Sequence, residues 1–239
     1  MHVEFTLTSA CPMLCRYCPQ DKYIRAYAQR PGPRATSLED YKTMLSHIDH
    51  LTENIDFSGY TEPLVNPFWY SIFQHTIEQG YFLTLYSTLY QATMEDIEKL
   101  TSLDIGKIYI HLTNHKPDMS INRYLITRSK ARHLDLTFVY FEEDGMNIGP
   151  QFSDQISCDK WTVHSRAGNV DVNPRYIRGS VLCCEERYMC NIVLPNGDVH
   201  ICCMDFPLQY MIGIRVSPLS RQKSGLYLVH GISLHGFWV

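Results

Sequence analysis

No apolar run in this sequence approaches the roughly 20 residues that cross a bilayer as a helix, so a membrane span is not expected. Positive charge is not in surplus either: 21 Lys and Arg stand against 25 Asp and Glu, giving a net charge of −4. With a pI of about 6.2, the chain has no basic excess with which to neutralise phosphates, and nucleic acid is not an expected partner. The opening "MHVEFTLTSA" lacks a basic stretch followed by an apolar one, so it does not read as a secretory signal. The cytoplasm is the expected compartment. Internal repeats and low-complexity tracts are also missing. A hydrophobic fraction of 45% over 239 residues is enough for one well-buried domain, or one domain with a small appendage.

Cysteine, by contrast, is abundant, and its number is odd. A secreted disulfide framework would pair an even count with a signal peptide; nine cysteines without one point elsewhere. In a reducing compartment, clustered thiolates more often hold metal than each other. Three cysteines lie within residues 11–18, five within 183–203, and only Cys158 lies between. Two clusters suggest two metal sites, or one site and a redundant set.

The first two-thirds alternate strand and helix patterns. Strands are expected at 3–7, 54–58, 82–87, 105–112, 134–141 and 160–165, and helices at 37–51, 68–80, 93–103 and, more weakly, 120–133. Ser37 is placed to cap its helix with Asp40 in the capping-box position, and Gly80 is placed to end the next one. Residues 19–36 read as a long loop in which Arg25, Arg30 and Arg34 have no nearby acids. As a functional element this loop would be a lid, or a clamp for an acidic substrate. Alternation of this kind implies a parallel sheet, open or curled into a barrel, with ligands beyond the carboxyl ends of the strands. The cysteine loop, "GYTEP", "STLY" and "HSRAGN" each follow a strand candidate and should gather on one rim.

The first cluster, "ACPMLCRYCPQ", spaces Cys11, Cys15 and Cys18 by three and then two residues. A structural zinc site wants four protein ligands, so a fourth would have to come from far away. A thioredoxin-type pair would use Cys15 and Cys18 and leave Cys11 unexplained. An iron–sulfur cubane held by three cysteines leaves one iron open to a small chelating molecule.

The triplet, set after a first strand with Tyr17 before its last cysteine, resembles the signature of the radical SAM superfamily. The resemblance implies a partial (β/α)6 TIM-like barrel and a 4Fe–4S cluster held by Cys11, Cys15 and Cys18. It also implies S-adenosylmethionine on the open iron, cleaved reductively to a 5′-deoxyadenosyl radical that takes a hydrogen atom from substrate. Tyr17 would pack by the adenine. Gly59, Glu62 and Pro63, in a G-x-x-E-P stretch, match the segment that receives the methionine ammonium in that family. Ser87 and Thr88 would meet the ribose or the methionine carboxylate, and Ser165 and Arg166 a ribose hydroxyl or a carboxylate. His111, at the end of the fourth strand, is expected to be a rim histidine rather than an acid or base.

The second cluster reads as a hairpin, with Pro-Asn-Gly as its turn. Twelve residues separate Cys184 from Gly197 and four separate Gly197 from Cys202, which is similar to the spacing in SPASM and twitch extensions. That likeness implies an auxiliary iron–sulfur cluster, with Cys184, Cys190, Cys202 and Cys203 as candidate ligands and Cys183 as an adjacent alternative. Residues 1–170 would form the core and 171–239 a cysteine-rich β-hairpin extension. No cysteine follows Cys203, and from Ile214 the tail departs from the pattern. The expected activity is that of a radical SAM oxidoreductase acting on a peptide or a sugar-like small molecule, with an external electron donor such as a flavodoxin or ferredoxin. The competing expectation is an inactive or electron-carrying metal- or cluster-binding descendant of the same barrel.

Overall fold

The computed structural model describes residues 2–13, 15, 17–48, 52–112, 119–141, 157–161, 166, 169–170 and 190–213. Among these, nine strands form one sheet in the order β6-β5-β4-β3-β2-β1-β7-β8-β9. The strands are β1 (His2–Phe5), β2 (Asn54–Phe57), β3 (Phe82–Ser87), β4 (Lys107–Leu112), β5 (Leu136–Phe141), β6 (Ser157–Trp161), β7 (Cys190–Val193), β8 (Val199–His200) and β9 (Met211–Gly213). From β6 to β7 all pairings are parallel; β8 and β9 then fold back antiparallel. β6 and β9 are the two edges, so the sheet is an open partial barrel.

Parallel strands need crossovers, and helices supply them. Five are described: α1 (Gln20–Ala28), α2 (Leu38–Leu45), α3 (Trp69–Glu78), α4 (Met94–Ser102) and α5 (Met119–Arg132). Their starts follow local chemistry. Ser37 Oγ accepts the Asp40 N–H (3.1 Å) and donates to its carboxylate (2.8 Å), while Thr93 and Asp96 form a reciprocal capping box. Gly80, at φ +84°, follows α3 as expected.

Side chains alternate across each strand, and the two faces have different tasks. One face buries Val3, Phe5, Ile55, Phe57, Leu83, Leu85, Ile108, Ile110 and Phe138 against the helices, meeting Tyr41, Phe73, Ile97 and Leu125. Truncating a fully buried Phe in such a core costs about 3–5 kcal/mol. The other face carries Glu4, Asp56, Thr84, Tyr86, Tyr109 and His111 in matching register, a polar and aromatic lining toward the barrel interior. Tyr86 and Tyr109 stack there with centroids 4.8 Å apart.

The sequence reading needs two corrections. Residues 19–36 are not simply a loop, because Tyr23 and Tyr27, one turn apart, make α1 amphipathic and bury it against Tyr60, Ile192, Leu194, Phe206 and Leu208. Charged, proline-flanked residues hid that stripe. Arg30 is not unmatched either: its guanidinium pairs with Asp198 (2.6 Å) and donates to the Leu208 carbonyl (2.6 Å), contacts that only the fold brings together. In addition, β6 begins at Ser157, ahead of the expected 160–165, and α2 stops at Leu45.

The expected hairpin is present as β7 and β8. It is not hung on the barrel by a linker alone, since β7 pairs in parallel with β1 and continues the sheet. The division at 170/171 and the tail from Ile214 lie outside the described residues.

Candidate cofactor site at the carboxyl ends of β1 to β3

Beyond β1 the chain stays buried and extended through Thr6, Leu7 and Thr8, then turns into the cysteine loop. That turn is held from several directions. Tyr23 Oη on α1 donates to the Thr8 carbonyl (3.0 Å), and Gln20 Nε2 donates to the carbonyl of Met13. A 3.0 Å bond from the Cys18 N–H to the Cys15 carbonyl closes the last bend. Cys11, Cys15 and Cys18 are half-buried free thiols, and Tyr17 is buried among them.

The three sulfurs share an electrostatic environment. Burial pushes the Cys11 thiol up to about 11, opposed by the backbone N–H groups of Met13 and Glu62. Burial also pushes Cys15 up to about 12, followed by the neighbouring Cys18 and Cys11. Cys18 is raised by burial as well, and the Arg166 charge pulls it back. Three thiols that cannot easily ionise together in isolation suit a strongly cationic occupant, which would deprotonate them on binding. Among the described residues, no group of three His, Cys, Asp or Glu side chains converges closely enough for a single ion. By donor chemistry, three thiols after one strand are a set that an iron–sulfur cluster takes.

The loop after β2 lies directly beside these thiols. Gly59 sits at φ +68°, and a Cβ there would come within 1.9 Å of Thr6 Oγ1, so only glycine fits against β1. Its N–H donates to the Glu4 carboxylate, and the next N–H, from Tyr60, donates to Thr6 Oγ1 (3.2 Å). Glu62 then points inward with 4% exposure, followed by Pro63 at the start of a short 3-10 turn.

A buried carboxylate requires compensation, and Glu62 has it in full. Oε1 accepts from Ser87 Oγ (2.7 Å) and the Leu64 N–H (3.2 Å). Oε2 accepts from the Thr88 N–H (2.6 Å) and Thr88 Oγ1 (2.7 Å). Burial still raises its pKa, and these four donors work against that rise. The loop after β2 and the end of β3 thus meet at one carboxylate, and the Glu62 N–H reaches Cys11 in the loop after β1.

Of the residues named from sequence, Cys11, Cys15, Tyr17, Cys18, Gly59, Glu62, Pro63, Ser87, Thr88 and Arg166 share this rim. Arg166 reaches it by donating from Nε to the Tyr17 carbonyl (3.1 Å). The hydroxyls of Ser87 and Thr88 are turned onto Glu62. His111 sits on β4 edge-on to Trp161 (5.4 Å) and Tyr86 (6.1 Å). Burial first and the Arg166 charge second lower it to about 4, leaving it neutral at pH 7. Ser165, Cys183 and Cys184 lie outside the described residues. Cys190 on β7 donates to Glu4 Oε2 (3.5 Å), while Cys202 and Cys203 follow β8. Within the described residues, these three do not assemble into one ligand set.

Two features were missed from sequence. Glu4 is 8% exposed and accepts bonds from Ser58 Oγ (2.6 Å), Gly59 and Cys190. Its signal was a carboxylate inside an otherwise apolar strand. His200 is fully buried and holds Asp205 at 2.9 Å, ordering the turn that bears Cys202 and Cys203.

No protein-family profile matches this sequence, and no curated protein matches it. Solved structures do. BtrN in complex with AdoMet and 2-DOIA aligns with a TM-score of 0.59 and 18% identity, over 89% of this chain and 76% of that one. Streptococcus suis SuiB bound to S-adenosylmethionine aligns with a TM-score of 0.50 and 12% identity, over 84% of this chain and 60% of that one. BtrN and SuiB are radical SAM enzymes, and at these identities the likeness is one of fold.

Proposed function

We propose that this chain, which has the partial-barrel fold of radical SAM enzymes, is itself one, with Cys11, Cys15 and Cys18 as ligands of a 4Fe–4S cluster. The observation that supports this is that Cys11 and Cys15 lie within the field of the buried Glu62 carboxylate, with Cys18 on the same loop beside Arg166. When bound, the cluster and S-adenosylmethionine supply an electron-driven C–S cleavage whose 5′-deoxyadenosyl radical removes a hydrogen atom from substrate.

The chain's own residues bind and orient. Cys11 offers its thiolate with N–H support from Met13 and Glu62, and Arg166 favours the Cys18 thiolate. Glu62 would offer a negative charge to the methionine ammonium, and Gly59 would let the backbone approach closely. Tyr17 would border the adenine. Arg166, with Ser165 beside it in sequence, would serve a ribose hydroxyl or carboxylate. Substrate, a small molecule or a peptide, would enter over the inner sheet face, where Glu4, Asp56, Tyr86, Tyr109 and neutral His111 form the lining. An external flavodoxin or ferredoxin would deliver the electron. Of the candidate ligands for an auxiliary cluster, Cys183 and Cys184 lie outside the described residues, and no step is assigned to that cluster. No described helix is long and apolar enough to cross a membrane.

The test is anaerobic reconstitution with iron and sulfide, followed by dithionite and S-adenosylmethionine, with 5′-deoxyadenosine detected by mass. Parent protein should form it and Cys15→Ala should not. A brown, cluster-loaded parent that leaves S-adenosylmethionine intact would overturn the enzymatic reading in favour of an electron-carrying or inactive one.

A further inference from the structure

Glu62 is not an open acceptor. A carboxylate offers about four lone-pair sites, and Ser87 Oγ, Leu64 N, Thr88 N and Thr88 Oγ1 fill four. Any further donor must displace one of them, and the four are not equally fixed. The Leu64 and Thr88 N–H groups belong to the backbone, the first within a 3-10 turn. Ser87 is 3% exposed and held from both sides, because its Oγ accepts the Leu89 N–H (2.9 Å) while it donates to Glu62. Leu89 is itself set at φ +55° by that turn. Among the described residues, the Thr88 hydroxyl has no second bond of this kind. It sits on a half-buried residue and turns about one side-chain torsion. Its departure would not release Glu62, since the Thr88 N–H holds the same Oε2.

We propose that the Thr88 hydroxyl is an exchangeable occupant of Glu62, which yields its acceptor site on Oε2 to the ammonium group of S-adenosylmethionine. This rests on the cofactor reading above. The exchange is favourable because both bonds end on the carboxylate, and the ammonium sets a full positive charge against it where the hydroxyl offers only a dipole. Ser87 has the opposite role: it is a positioning residue that fixes Oε1 while the exchange takes place at Oε2.

The two roles predict opposite signs. On anaerobic, cluster-reconstituted protein, equilibrium binding is measured for S-adenosylmethionine and for 5′-methylthioadenosine, which lacks the amino-acid end. Thr88→Val keeps the backbone N–H and removes only the competitor, so it should bind S-adenosylmethionine about three- to tenfold more tightly, reflecting one net hydrogen bond. Its affinity for 5′-methylthioadenosine should be unchanged. Thr88→Ser should restore the parent value, and Ser87→Ala should weaken S-adenosylmethionine alone. An unchanged or weaker Thr88→Val, or one that shifts both ligands alike, overturns the proposal. Parent protein that binds neither ligand would remove the cofactor reading itself, a result distinct from any shift among the variants.

Discussion

Tyr60, in the loop after β2, donates its hydroxyl to the carbonyl oxygens of Cys202 (3.1 Å) and Asp205 (3.3 Å), more than 140 residues along the chain. The ring stacks on Tyr23 of α1 (4.8 Å) and meets Phe206 edge-on (4.8 Å). One side chain therefore ties the segment beside the first cysteine loop to the turn bearing two later cysteines. Tyr60→Phe keeps the stacking and loses both hydrogen bonds, leaving the two carbonyls with one backbone donor each, Asp205 N–H (3.0 Å) and Leu208 N–H (2.9 Å). The expected cost is about 1–2 kcal/mol, read as a lower urea midpoint, with faster amide exchange in residues 200–208. Unaltered exchange there would show that the hairpin is held by the apolar cluster alone.

Gly59 tolerates no side chain. In Gly59→Ala the new methyl meets Thr6 Oγ1 at 1.9 Å, Thr6 Cβ at 2.9 Å and the Thr6 backbone at 3.1 Å. Turning the threonine side chain does not clear the last contact, and the positive φ adds strain. Destabilisation of about 2–4 kcal/mol is expected, measured by thermal unfolding. Thr6→Ala in the same chain should recover only part of it.

Asp56 gives the interior face a pH signature. Burial raises its carboxyl to about 6; the nearby His2 lowers it and Glu4 raises it, with Thr84 as a hydrogen-bond partner. The folded chain then holds this proton over a range, from about pH 4 to 6, where the unfolded chain has released it. Stability from this group is full below about pH 4 and is lost as pH rises through 6. Asp56→Asn should flatten that slope and relieve up to about 3 kcal/mol at pH 7, as seen in urea titrations at pH 4.5 and 7. A slope identical to the parent's would assign the pH dependence to another group.

Arg30 and Asp198 anchor the β7–β8 turn to the end of α1. The pair is largely buried, and Asn196 Nδ2 also donates to Asp198 (2.9 Å). Removing one partner leaves a charge without compensation, so Arg30→Ala should cost about 2–4 kcal/mol. Arg30→Met with Asp198→Leu should cost less than the single change, because no unpaired charge remains. Equal losses in the single and double variants would mean that packing, not charge, holds this corner.

Much of the site was legible because its signals are local. Cys11, Cys15 and Cys18 lie on one turn of chain, and Gly59 to Pro63 on another, so both stretches could be compared with a family pattern, and it was the resemblance that implied their chemistry. The capping of α2 by Ser37 was similarly local. Strand positions could be read from runs such as "FLTLYS", where a buried parallel strand has an unmistakable apolar content. The α1 helix was obscured because its apolar stripe is two tyrosines among charges, and its burial depends on Ile192 and Phe206 far downstream.

The sequence by itself determined which residues can carry the chemistry and that they follow parallel strands, because residue type and near-neighbour spacing are written in the chain. The tertiary structure alone decided their working partners: Ser87 and Thr88 on Glu62, Glu4 under Gly59, Arg166 against the Tyr17 carbonyl, and β7 alongside β1. Those contacts join segments from 25 residues apart (Ser87 and Glu62) to strands near opposite ends of the described chain (His2 and Cys190). They are set by strand order and register, which arise when the whole hydrophobic face is buried at once.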